Sequence, residues 1–194
     1  MSETEQKQQQ PQKKSGGGGG GGKKGGERKD LFSAENVASE AKTIIAMARE
    51  TDFLVTGVPN IDGTYEERKE GERQNEVPVA VMEALADQIA AAAPTTSFML
   101  IAVGPSDAPP KRCSILVRST TPKLSPTDWL IACNATDALY GTPAAAFGYF
   151  VAEYPIKAKD TVSGMAFAYL RKTKLLQDDC SDDERPAFDI NADN

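Results

Sequence analysis

The chain has 194 residues, 40% of them hydrophobic, and a net charge of −6 at neutral pH, a balance within the globular range and a length suited to one hydrophobic core rather than two. It contains no His, which removes the commonest general base and the commonest transition-metal ligand together and weighs against an enzyme. No apolar run approaches the roughly twenty residues that a membrane-spanning helix needs, so no membrane role is expected, and three widely spaced Cys (Cys113, Cys133 and Cys180) fit free thiols in a reducing compartment.

The opening stretch, residues 1–29, is charged and Gln-rich rather than apolar, so no secretory signal is expected. It carries seven Lys or Arg against three Glu, a net +4, around an unbroken run of seven Gly. Glycine loses the most backbone freedom on ordering, and nothing here is available to bury in return, so a disordered basic arm is expected. The pairs Lys13 and Lys14, and Lys23 and Lys24, on such a leash suit loose contact with phosphates; a solubilising tail without a partner is the equal alternative. The Gly run is not followed by Lys and Ser or Thr at P-loop spacing, so it reads as a linker and not a nucleotide site.

Ser33 suits an N-cap, and Val37, Ala41, Ile44, Ile45 and Ala48 recur at helical spacing, which predicts a first helix to about Glu50. Gly57, Pro59, Gly63, Gly71 and Pro78 break the next stretch into a short apolar piece and a solvated charged loop. Pro78 opens a second helix with Val81, Met82, Leu85, Ala86 and Ile89 on one stripe, ending before Pro94. Two short apolar runs, Ser97 to Val103 and Cys113 to Val117, flank a turn-rich segment and predict a β-hairpin with Lys111 and Arg112 at its tip. Three more helices are then expected. Ser125 and Pro126 start one bearing Trp129, Leu130, Cys133 and Asp137 and ending at Gly141; Thr142 and Pro143 start another bearing Ala146, Phe147, Phe150, Val151 and Tyr154 and stopped by Pro155; Asp160 caps the last, with Val162, Met165, Ala166, Tyr169 and Leu170. From Asp178 onward an acidic, mobile tail is expected: residues 177–194 hold seven acidic side chains against Arg185.

The fold class expected from this pass is mainly α: a core of about five helices with one small β-hairpin over residues 30–177, between a disordered arm (1–29) and a flexible acidic tail (178–194). The acidic cluster at Asp178, Asp179, Asp182, Asp183 and Glu184 lacks the alternating spacing and central Gly of a calcium loop, so no metal and no cofactor is expected. Cys133, on one helical face with Trp129, reads as a small buried hydrophobe rather than a nucleophile. In the body, Arg118 just past the second strand and Lys157 and Lys159 in the connection between the two most aromatic helices are the candidates for nucleic acid, because loops and helix starts would expose them beside apolar walls.

From Asn134 onward the chain resembles coat proteins of flexuous filamentous plant RNA viruses. The residues that carry the resemblance are N-A-T-D at Asn134 to Asp137, the aromatic run around Phe147, Tyr149 and Phe150, and P-I-K-A-K-D at Pro155 to Asp160, which look like the potyvirus pattern; D-A-L-Y at Asp137 to Tyr140 and P-A-A-A-F-G-Y-F-V-A-E-Y at Pro143 to Tyr154 are similar to the closterovirus pattern. The family's core Arg has Cys133 or Asn134 in its place here, and its acidic partner has Ala146 or Glu153. The resemblance implies a helical core that polymerises around single-stranded RNA, self-association through flexible arms, and a place in the virion and the host cytoplasm. The alternative expectation is a cellular adaptor or ribonucleoprotein component that binds another protein, non-enzymatic in either case.

Overall fold

The computed structural model describes residues 30–62, 76–104, 112–152 and 155–176. Along these the elements run α1 (Ala34–Ala48), β1 (Phe53–Gly57), α2 (Val79–Ala92), β2 (Ser97–Val103), β3 (Arg112–Arg118), α3 (Pro126–Ala132), β4 (Asp137–Gly141), β5 (Ala145–Val151) and α4 (Pro155–Lys172). The strands form one five-stranded mixed sheet in the order β1-β2-β3-β5-β4. The fold is therefore α/β, and the expectation of a mainly helical core with a single hairpin is overturned.

The first two helices and the hairpin lie where periodicity places them. Ser33 Oγ accepts the Asn36 amide at 3.3 Å to start α1, which turns Val37, Ala41, Ile44 and Ala48 inward. The short apolar piece after it is a strand: β1 pairs parallel to β2, with Phe53 opposite Ser97 and Gly57 opposite Ile101, and α2 provides the crossover between them. The turn after β1 is pinned on two buried carboxylates, Glu40 accepting from exposed Asn60 and Asp62 accepting the Val103 amide at 3.4 Å.

The corrections concentrate in residues 133–160. α3 stops at Ala132, not Gly141, because Asn134 takes a left-handed φ of 56°. The Asn134 amide then donates to Ile131 at 2.9 Å and the Ala135 amide to Leu130 at 3.0 Å, the paired bonds of a Schellman stop. Residues 137–141 and 145–151, read as helical, are instead the antiparallel strands β4 and β5, with Tyr140 opposite Phe147. Pro155 starts α4 rather than ending a preceding helix; its fixed φ suits a first turn. The physical reason for the misreading is that β5 is apolar on both sides, so its Ala and aromatic positions satisfy a 3.6-residue stripe and a buried strand equally well.

Two cores lie on opposite faces of the sheet. Along β2, Phe98, Leu100 and Ala102 pack with α1 and α2, together with Leu116 and Phe147, while Met99, Ile101 and Val103 pack with α3 and α4 around Trp129, Val162, Ala166 and Leu170. The Trp129 indole N–H, fully buried, donates to the Ala166 carbonyl at 3.1 Å and ties α3 to α4.

Candidate functional site

Among the described residues on the α2 side of the sheet, helix packing is concentrated on β1 and β3. The strip over β5 and β4 is covered by side chains. Register fixes which ones. Arg112, Ser114, Leu116 and Arg118 alternate along β3 opposite Val151, Tyr149, Phe147 and Ala145 of β5, and Asp137 and Tyr140 of β4 stand opposite Tyr149 and Phe147. Leu116 and Phe147 belong to the α1–α2 core, which places this whole set on that face. α2 adds Glu83 and Asp87, one helical turn apart beside the buried stripe of Met82, Leu85, Ala86 and Ile89.

The set divides into two linked clusters. In the first, Arg112 Nε donates to both oxygens of Glu76 at 3.0 Å, its Nη1 donates to Asp137 at 3.1 Å, and its guanidinium lies 3.7 Å from the centre of the Tyr149 ring. Burial works against the Arg112 charge, yet the Glu76 carboxylate outweighs it and the guanidinium is held above its ordinary pKa. Partial burial, with the Glu76 carboxylate nearby, raises the Tyr149 phenol. In the second cluster, Tyr140 stacks on Phe147 with ring centres 5.4 Å apart, and its hydroxyl donates to Glu83 at 3.5 Å. Burial and then Glu83 raise the Tyr140 phenol as well, so both hydroxyls stay neutral donors at physiological pH. A groove of about 320 Å³ opens beside this second cluster, lined by Glu83, Asp87, Arg118, Tyr140, Thr142 and Phe147 among others.

Of the candidates read from the sequence, Arg118 lies on this face, as the last residue of β3. Its guanidinium is ion-paired with Asp87, and its buried Nε has no hydrogen-bond partner among the described residues. Lys157 and Lys159 lie in the first turns of α4, which packs on the opposite face of the sheet. The sheet separates them from Arg118, so the three do not form one surface. The Lys159 side chain instead runs against Gly57 of β1. Lys13, Lys14, Lys23 and Lys24 fall outside the described residues. The residues that sequence reading missed are Glu83, Asp87, Glu76, Asp137, Tyr140, Tyr149 and Arg112 as parts of one face. Two signals were present for them: the four-residue spacing of Glu83 and Asp87 on the outer flank of α2, and the alternation of Arg112, Ser114, Leu116 and Arg118 along the hairpin's second strand.

Cys133 is buried against α4, its thiol donating to the Val162 carbonyl at 3.8 Å, and burial pushes it up to about 12, which makes it a poor nucleophile. Among the described residues no three His, Cys, Asp or Glu side chains are grouped to hold a metal ion, and no helix is long and apolar enough to cross a membrane. No protein-family model matches the chain, and no curated protein matches its sequence.

Proposed function

We propose that this chain is a non-enzymatic binding module that engages another protein through the strip of sheet over β5 and β4. The observation that carries this reading is the exposure of hydrophobic and aromatic groups there on rigid strands: Tyr140 is 48% and Val151 61% exposed, beside the fixed rings of Phe147 and Tyr149. Aromatic residues on a preorganised backbone contribute contact area at small entropic cost, and they are enriched at protein interfaces. Charge favours a protein over a polyanion, because Arg112 and Arg118 are already matched by Glu76, Asp137 and Asp87 on the same face.

Single-stranded RNA packaging with self-association is the second reading. It is favoured by one feature, Tyr140 and Tyr149 on a sheet face, an arrangement on which unpaired bases stack. One experiment separates the two. The chain is purified gently from its native cells and its complexes are weighed by native mass spectrometry, alongside Tyr140→Ala and Val151→Glu, substitutions at exposed positions outside the two buried clusters, with urea midpoints to report folding. The protein-binding reading expects a discrete complex of fixed stoichiometry that both substitutions weaken. Heterogeneous, nuclease-sensitive masses with filaments in electron micrographs favour RNA packaging. A bare monomer, indifferent to single-stranded RNA at low salt, overturns both.

A further inference from the structure

The groove between α2 and β4 adds a chemical preference to that face, and the inference drawn from it rests on the protein-binding reading. Its floor and one wall are aromatic: Phe147 is 1% exposed beneath Tyr140, whose ring lies nearly parallel to it at an interplanar angle of 24°. Its rim on α2 is acidic, with Glu83 and Asp87 both exposed. The one cation among the described residues of the lining, Arg118, is paired with Asp87. Glu83 accepts from the uncharged Tyr140 hydroxyl at 3.5 Å, a long bond that leaves its negative charge uncompensated among the described residues of the lining. The described residues of the lining therefore carry two carboxylates against one guanidinium around an aromatic ring.

We propose that this groove receives a lysine or arginine side chain from an extended segment of a partner protein. The aliphatic stem lies along Tyr140, and the cationic head reaches Glu83. An aromatic ring attracts a cation lying over its face, and a carboxylate at the end of the stem fixes how far it enters. The volume of about 320 Å³ accommodates one such side chain with its water, and not a folded element. Anionic partners are disfavoured by the same geometry, since an entering phosphate or carboxylate would meet Glu83 and Asp87 first.

The test uses the full chain and three fluorescein-labelled peptides of equal length: one alternating Lys with Thr, one with Glu replacing each Lys, and one with Gln replacing each Lys. Binding is followed by anisotropy at low and at physiological salt. The expected result is that the Lys peptide binds best and weakens with salt, and that Glu83→Gln and Tyr140→Ala each loosen it about two- to fivefold. Urea midpoints of both variants report whether folding is intact. Lys123→Ala, an exposed change elsewhere, is expected to leave binding unaltered. Equal or tighter binding of the Glu peptide, or Lys-peptide binding indifferent to both variants, overturns the proposal. Lys-peptide binding that appears only after deletion of residues 1–29 also overturns it, by assigning the groove to the chain's own Lys pairs. Gln-peptide binding as tight as the Lys peptide and weakened by Tyr140→Ala removes the charge preference while the protein-binding reading stands. Displacement of every peptide by polyuridylate, with no partner complex in the mass measurement, removes both.

Discussion

Gly57 and Gly148 are crowded to the same degree, but by different atoms. A Cβ at Gly57 would lie 2.8 Å from Lys159 Cε, the far end of a side chain that can swing into solvent; a Cβ at Gly148 would lie 2.7 Å from the Ala135 carbonyl oxygen, which the Schellman stop holds in place. Gly57→Ala is accordingly expected to change unfolding free energy by less than about 0.5 kcal/mol, and Gly148→Ala to lower it by about 1–3 kcal/mol through overpacking, as read from urea denaturation. Equal losses in the two variants would contradict this account. The same scale explains what was legible about the candidate site. Arg118 could be selected from sequence, as a nucleic-acid candidate beside an apolar strand, and the fold puts it at the end of β3. Its partner Asp87, 31 positions earlier on a different element, could not be. Spacing along a chain reveals neighbours within one helix or strand, whereas the charge balance of this face depends on pairs that only the assembled sheet brings together.

At the level of elements, the segment from Asn134 to Gly141 decides where helix gives way to sheet. Asn134 is in the left-handed region at φ 56°, which Gly occupies freely, Asn tolerates through its short polar side chain, and a β-branched residue resists. Asn134→Gly is expected to keep stability within about 0.5 kcal/mol of the native chain, and Asn134→Val to lose about 1–2 kcal/mol, measured by thermal and urea unfolding. If Val were tolerated as well as Gly, the Schellman stop would not be what ends α3. Asn134 was thus a readable stop signal, outvoted by apolar positions further on. α1, α2 and the β2–β3 hairpin were legible because each has one buried stripe or sharp turn residues at its ends: Ser33 caps α1, and Pro78 precedes α2. β1, β4 and β5 were not. β1 and β4 are five residues each, too short for alternation to declare itself. β5 buries Phe147 towards α2 and Ala146 towards α3 and α4, so it offers no polar face to mark its period. The resemblance to helical coat proteins leaned on that same run of residues, and its helical implication fell with the helical reading of it.

For the molecule as a whole, a sheet covered by helices on both faces buries groups that a smaller core would leave in water, and two of these are thiols. Cys113 on β3 and Cys133 after α3 lie in the core between the sheet and α3–α4. Burial, aided at Cys113 by the Asp62 carboxylate, pushes each thiol from 9.0 up to about 12. The sign of the pH effect follows from proton counting. Below about pH 9 both folded and unfolded chains hold these protons and the thiols add no pH dependence. Between about 9 and 12 the unfolded chain releases them while the folded chain retains them, so the unfolded state binds fewer protons and stability falls as pH rises. Each thiol contributes a loss of at most about 1.4 kcal/mol per pH unit across that window. The raised phenols of Tyr140, Tyr149 and Tyr169 push in the same direction from about pH 10. The expected outcome is a urea midpoint that is flat from pH 7 to pH 8.5 and declines steadily above pH 9, with a shallower decline in a Cys113→Ala, Cys133→Ala double variant even though that variant starts from lower stability. In a Cys180→Ser background, an aromatic disulfide reagent at pH 8 should label the native protein slowly and the urea-unfolded protein at once. An unchanged alkaline slope in the double variant, or rapid labelling of the folded chain, would show that the two thiols are not held protonated by the core.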